Sequence, residues 1–150
     1  MERLFELSTI VVLPFWFLMI VLPSWHWTHR IICLPAIGVV PAALYAVLVL
    51  PRLGEIWPVV SAPNLPATAA LLSTPAGATI AWVHFLAFDL LVGRWMYLDS
   101  RTRQISPWLM APVLFLTLML GPIGFLLYLA VSGIVALRAD ANSKNYGPAA

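Results

Sequence analysis

The chain has 150 residues, of which 62% are hydrophobic and 9% charged, with a formal net charge of +2 and a mean hydropathy of +0.94. A soluble domain carries about a quarter charged residues, and a small one has too much surface to hide this much apolar side chain. A water-soluble globule is excluded. The chain is basic (pI ≈ 9.0) but has no basic stripe, so no nucleic-acid partner is expected. The one cysteine, Cys33, leaves no internal disulfide and reads as small apolar filler.

Crossing ~30 Å of hydrocarbon as a helix takes about 20 mostly apolar residues. The first such run covers residues 5–22, after Glu2, Arg3 and Glu6. It lacks a basic leader and is followed by Pro23-Ser24-Trp25-His26-Trp27 rather than a small-residue cleavage site, so it reads as a retained helix. The second run, 31–50, contains Pro35, Gly38 and Pro41, and a kink is expected near Gly38–Pro41. The connection from Pro51 to Gly77 is proline-rich yet apolar, which is unlike a disordered linker. It is expected to lie at the membrane interface, with a short helix around Pro66–Ser73 and Trp57 at headgroup level.

The third run, 78–98, carries His84, Asp89 and Arg94 well inside it. After a short aqueous loop, Asp99–Ser106, the fourth run covers 107–137 with Gly121-Pro122 and Gly124 at its middle, where two half-helices should meet. Residues 139–150 read as a polar, disordered tail. The expectation is an all-α, polytopic protein: a four-transmembrane-helix bundle forming one membrane domain over residues 1–138, without an internal repeat. Gly121 and Gly124 permit close helix packing, within the chain or in a homo-oligomer. Four crossings put Arg3, Arg52, Arg138 and Lys144 on one side and Arg30, Arg101 and Arg103 on the other, which is no usable bias for orientation.

Charge at a helix centre costs about 2.5–3.5 kcal/mol on insertion scales, and an ionisable residue in a span is by default a functional hypothesis. His84 and Asp89, like Asp89 and Arg94, are five residues apart, or ~140° around a helix. Neither pair has the spacing at which side chains of one helix neutralise each other. Each group should instead point at partners on other helices, for chemistry or as a structural charge pair. His26 and His29 are three apart, but no Cys, Asp or Glu accompanies them within metal-ligand reach, and no metal or other cofactor is expected. The sequence has no P-loop, dinucleotide fingerprint or nucleophile elbow.

The stretch Trp82-Val83-His84-Phe85-Leu86-Ala87-Phe88-Asp89-Leu90-Leu91-Val92-Gly93-Arg94-Trp95 resembles the signature of the abscisic-acid-deficient-four-like family of small membrane proteins. Leu120-Gly121-Pro122-Ile123-Gly124-Phe125-Leu126-Leu127-Tyr128 resembles its second block. The likeness covers about the C-terminal half. It implies a link to neoxanthin synthesis, an isomerisation that opens an epoxide and creates an allene. That reaction needs a proton delivered to the epoxide oxygen and a proton removed from the adjacent polyene carbon, which an acid and a base in an apolar groove can supply. Carried onto this chain, His84 and Asp89 are the candidates for proton traffic. Arg94 is the candidate to stabilise the oxyanion or hold Asp89 ionised. Trp82, Phe88, Trp95 and Tyr128 are candidate substrate contacts, and Gly93, Gly121, Pro122 and Gly124 candidate structural positions.

Lacking a plastid-type leader, the chain reads as a multi-pass protein of a bacterial inner membrane, in contact with lipids and with a carotenoid or other isoprenoid. Three functions stay open: an isoprenoid isomerase, a non-catalytic pigment- or lipid-binding accessory protein, and a small transporter or proton relay. The broken fourth helix is the best feature for the last of these.

Overall fold

The computed structural model describes residues 1–145, with side chains through Ala141. It is helical throughout its elements: α1 (Glu2–Val21), α2 (His26–Cys33), α3 (Ala36–Val49), α4 (Leu53–Ser61), α5 (Leu65–Leu72), α6 (Pro75–Thr102) and α7 (Pro107–Asn145). Among the described residues, four stretches are long and apolar enough to cross a membrane: Glu2–Val21, Ala36–Ser61, Pro75–Thr102 and Pro107–Ala141. The protein is an all-α membrane bundle.

The structure moves several expected boundaries. Residues 31–50 do not form one helix. The chain breaks at Leu34–Pro35, between α2 and α3, and α3 continues through Gly38 and Pro41. Both prolines lack an N–H, but Pro41 is buried inside α3. The Pro51–Gly77 connection holds two helices. The first, α4, runs on from α3 through a 3-10 turn at Leu50–Arg52; the second, α5, is close to the short helix expected there. Asn64 caps α5, its side chain accepting from the Ala67 amide at 2.9 Å. Helix α7 passes the expected end at Leu137 and reaches Asn145, into the segment expected to be disordered; residues 146–150 of that tail lie outside the described residues.

Helix α6 is bounded by local chemistry at each end. Thr74 accepts from the Gly77 amide at 3.0 Å, and Pro75 occupies the first helical position, where a missing N–H costs nothing. At the other end the Ile105 amide donates to Ser100 O (2.9 Å) and the Gln104 amide to Arg101 O (3.2 Å), with Gln104 at φ 54°. This is the paired-bond C-terminal cap usually completed by glycine.

Two compact units are formed. One comprises Met1–Phe15 and Leu34–Leu91. Its core joins Leu48, Ile56, Ile80 and Val83, with Leu4, Leu44 and Leu71 packed against them. Here α3 runs antiparallel to α6: Gly38 faces Leu91, and Tyr45 faces His84. Phe5 stacks on Trp82 at 5.2 Å, and Trp82 Nε1 donates to Thr9 Oγ1 at 2.9 Å, which fixes the start of α1.

The second unit comprises Trp16–Cys33 and the chain from Val92 onward. Trp16, Met19, Ile32, Met96, Tyr97, Leu114 and Tyr128 are buried there. Tyr97 donates from its hydroxyl to Pro23 O at 2.8 Å, and Trp16 packs on Gly93, so α1 runs parallel to α6 within this unit. In α7 the expected break is present: Leu120 (φ −139°, ψ 37°) and Gly121 (φ 8°, ψ −79°) are non-helical. Before it, Thr117 Oγ1 contacts Met96 Sδ at 3.8 Å; beyond it, Phe125 contacts Trp95 (5.9 Å) and Tyr128 contacts Trp95 (5.4 Å).

The Gln104 cap makes a direct test of the α6 terminus. Gln104→Gly should raise the unfolding midpoint in detergent, since glycine adopts positive φ without steric cost. Gln104→Val should lower it, because a β-branched residue is an outlier there.

Candidate functional site

The sequence-predicted ionisable residues all lie on α6, and the structure gives each a different environment. His84 is half-buried among aromatic rings: Phe88 at 4.7 Å, Tyr45 at 5.3 Å and Phe85 at 6.3 Å between ring centroids. Asp89 is also half-buried, and among the described residues its carboxyl has no hydrogen-bond or ion-pair partner. It is the unpaired acid of the membrane-spanning part of α6.

Arg94 is differently used. Its Nε donates to Ile32 O at 2.7 Å and its Nη2 to Cys33 O at 2.8 Å. These are the last carbonyls of α2. The chain turns at Leu34–Pro35, where the Ile37 amide goes to Leu34 O and the Gly38 amide to Pro35 O. The Ile32 and Cys33 carbonyls are thus left without their helical partners. A guanidinium supplies two donors in a fixed fork and puts positive charge at the negative end of the α2 dipole. In this structure Arg94 caps the end of α2.

The candidate substrate contacts are also engaged in packing. Trp82 holds the start of α1, and Phe88 lies on His84. Trp95 rests edge-on against Tyr128, whose hydroxyl donates to Asp99. Asp99 was expected in an aqueous loop. Helix α6 extends past it, and its carboxylate pairs with Arg103 at 2.6 Å as well as with Tyr128. The Asp99 bond, with the Coulombic attraction behind it, pushes the Arg103 guanidinium further above its ordinary value. The i,i+4 spacing of Asp99 and Arg103 was the available sequence signal; nothing local announced Tyr128.

Gly93 and Gly124 are at close approaches: a Cβ at the first would overlap the Trp16 indole, and one at the second the Thr117 backbone. Trp16 Nε1 is buried without an acceptor among the described residues. A cavity of about 380 Å³ lies between the end of α1 and the start of α7, lined by Ile20, Pro23, Trp25, Trp108 and Ala111 among others. None of the sequence-predicted residues lines it. His26 and His29 are exposed on α2, and among the described residues no group of three His, Cys, Asp or Glu is placed to hold a metal.

A polytopic all-α membrane protein, with ionisable side chains set along one long helix, is the class that this fold and site define. The ABA DEFICIENT 4-like family model matches residues 3–128. The chain belongs to that family, a membrane-protein family related to neoxanthin synthesis. No curated protein and no solved structure matches it.

Removing the Arg94 cap should cost stability. Arg94→Met leaves two carbonyls unpaired in an apolar setting and should destabilise by on the order of 2–3 kcal/mol. Arg94→Lys, which cannot fork, should recover only part of that. Unfolding midpoints of the purified variants measure both; an unchanged midpoint for Arg94→Met would show that the cap carries no stability.

Proposed function

We propose that the protein is a membrane-embedded isomerase of a carotenoid or related isoprenoid, with Asp89 as the proton-transfer group. The observation that carries this reading is the Asp89 carboxyl: half-buried in an apolar helix and without a partner among the described residues. Such a group is expensive to keep in a span, and unlike Arg94 and Asp99 it fulfils no structural bond that would offset the expense.

The chemistry needs no co-reactant. The C–H bond of the polyene carbon breaks and its proton passes to the base, while its electron pair becomes the new double bond of the allene. As that double bond forms, the adjacent C–O bond of the epoxide breaks, its electron pair goes to the oxygen, and the oxygen takes a proton to become a hydroxyl. A carboxylic acid can do both in one cycle, its carbonyl oxygen accepting the carbon proton as its hydroxyl gives up its own. This suits the geometry, because His84 stands ~7.5 Å along α6 and ~140° around it from Asp89. One epoxide is not reached by both from the same side. His84, ringed by Tyr45 and Phe88, is the second candidate, as part of an aromatic wall for the polyene.

A second reading, a non-catalytic pigment-binding accessory protein, is favoured by the structural use of Arg94, Trp82 and Tyr128. Expression in a host that accumulates epoxy-carotenoids, followed by pigment extraction, separates the two. An altered product means enzyme; unaltered pigment that co-purifies means binder. For the enzyme, Asp89→Asn should lower conversion by at least the ~10²-fold typical of losing a general acid or base. His84→Phe, which keeps the ring, should lower it far less. Wild-type conversion in the His84, Asp89 and Arg94 variants alike would end the assignment.

A further inference from the structure

We propose that the fourth apolar helix is a re-entrant hairpin, so that the chain crosses the membrane three times and turns a basic face to the anionic headgroups of the cytoplasmic leaflet. Length and composition alone would let residues 107–141 cross. The contacts along α6 contradict a crossing. If α7 continued past its break antiparallel to α6, each later residue would meet an earlier residue of α6. Thr117 meets Met96, so residues 125 and 128 would fall well before position 96. Instead Phe125 meets Trp95, and Tyr128 meets Trp95 and Asp99. Beyond the break, α7 therefore advances in the same direction as α6.

The tip agrees with this. A Cβ on Gly124 would overlap the backbone of Thr117, seven positions earlier, whereas in an unbroken helix that separation is ~10 Å of rise. The non-helical pair Leu120–Gly121 stands midway between them. Pro122 begins the return arm, at a position where its missing N–H is no loss. Gly121 is buried, which is the condition for irregular backbone at membrane depth. From Pro107 to Met119 the first arm offers only ~20 Å of helix at 1.5 Å per residue, short of the ~30 Å a crossing takes. The bond from Tyr128 to Asp99, with Gly124, Tyr128 and Ser132 buried on one face, seats the return arm on the rest of the unit.

The hairpin changes the charge balance. The return arm ends on the side of the 103–106 loop and brings Arg138 there. That side of the unit then holds the exposed Arg30, Arg101, Arg103 and Arg138, with Lys144 further along the sequence. An excess of Lys and Arg in short flanking segments marks the cytoplasmic side, and each such residue near an anionic leaflet adds about 1 kcal/mol of attraction. The start of α1 is then outside and the end of α7 inside.

Cysteine accessibility in the full chain tests this, with Cys33→Ala as background. Single variants Glu2→Cys, Ser106→Cys and Ala139→Cys are treated with a membrane-impermeant maleimide, on intact cells and after lysis. The expected result is that Glu2→Cys reacts in intact cells, while Ser106→Cys and Ala139→Cys react only after lysis. Reaction of Ser106→Cys and Ala139→Cys from opposite sides would overturn the hairpin. Reaction of both from outside would overturn the orientation.

Discussion

Backbone carbonyls left open inside an apolar structure must find a donor, and the pair at Ile32 and Cys33 finds it in Arg94. The rest of the arrangement depends on that contact. Hydrocarbon offers no water to satisfy a helix end, so the reversal at Leu34–Pro35 is tenable only where a side chain reaches it. Arg94 also resolves its own problem there, since a guanidinium at that depth needs acceptors as much as the carbonyls need donors. The two requirements cancel. Helix α2 is thereby seated against the second half of α6, where Tyr97 and Trp16 already tie α1 to the same surface.

Helix α6 is accordingly two things in sequence. Its ends and its second half are bound by side chains to neighbouring elements. Its middle keeps Asp89, for which no such bond exists among the described residues. The contrast between a satisfied Arg94, a satisfied Asp99 and an unsatisfied Asp89 sets the acid apart more sharply than its presence in a span does. The chain's family is related to neoxanthin synthesis, and the isomerisation proposed above is what assigns that lone carboxyl its work.

Much of the architecture was legible in composition. Runs of apolar residues of sufficient length gave the number of long helical stretches, though not the bounds of the second, and Gly121-Pro122 gave the break, because a freed carbonyl and a residue without a Cβ coincide there. The prolines near 35–41 were misread because proline signals disruption only where neighbours do not support the helix; Pro41 is buried within α3, while Pro35 sits where the chain turns. The end of α6 was placed too early, since polar residues do not by themselves stop a helix, and the cap that does stop it is built on Gln104 rather than glycine. In the site, the residues were visible but their partners were not. The acceptors of Arg94 are backbone oxygens some sixty residues away, with no side-chain signature. The Tyr128 partner of Asp99 lies across a reversal of the chain that hydropathy does not register.

The contact of Trp16 with Gly93 has a consequence for how this protein can change. A large indole is accommodated because the facing position has no side chain, so the two sites share one fixed volume. Any enlargement at 93 has to be matched by a reduction at 16. Because 93 adjoins Arg94, a mismatch would displace the guanidinium from its acceptors as well as strain the packing. Within the family, the sizes of these two residues should therefore vary inversely, as a single inherited unit.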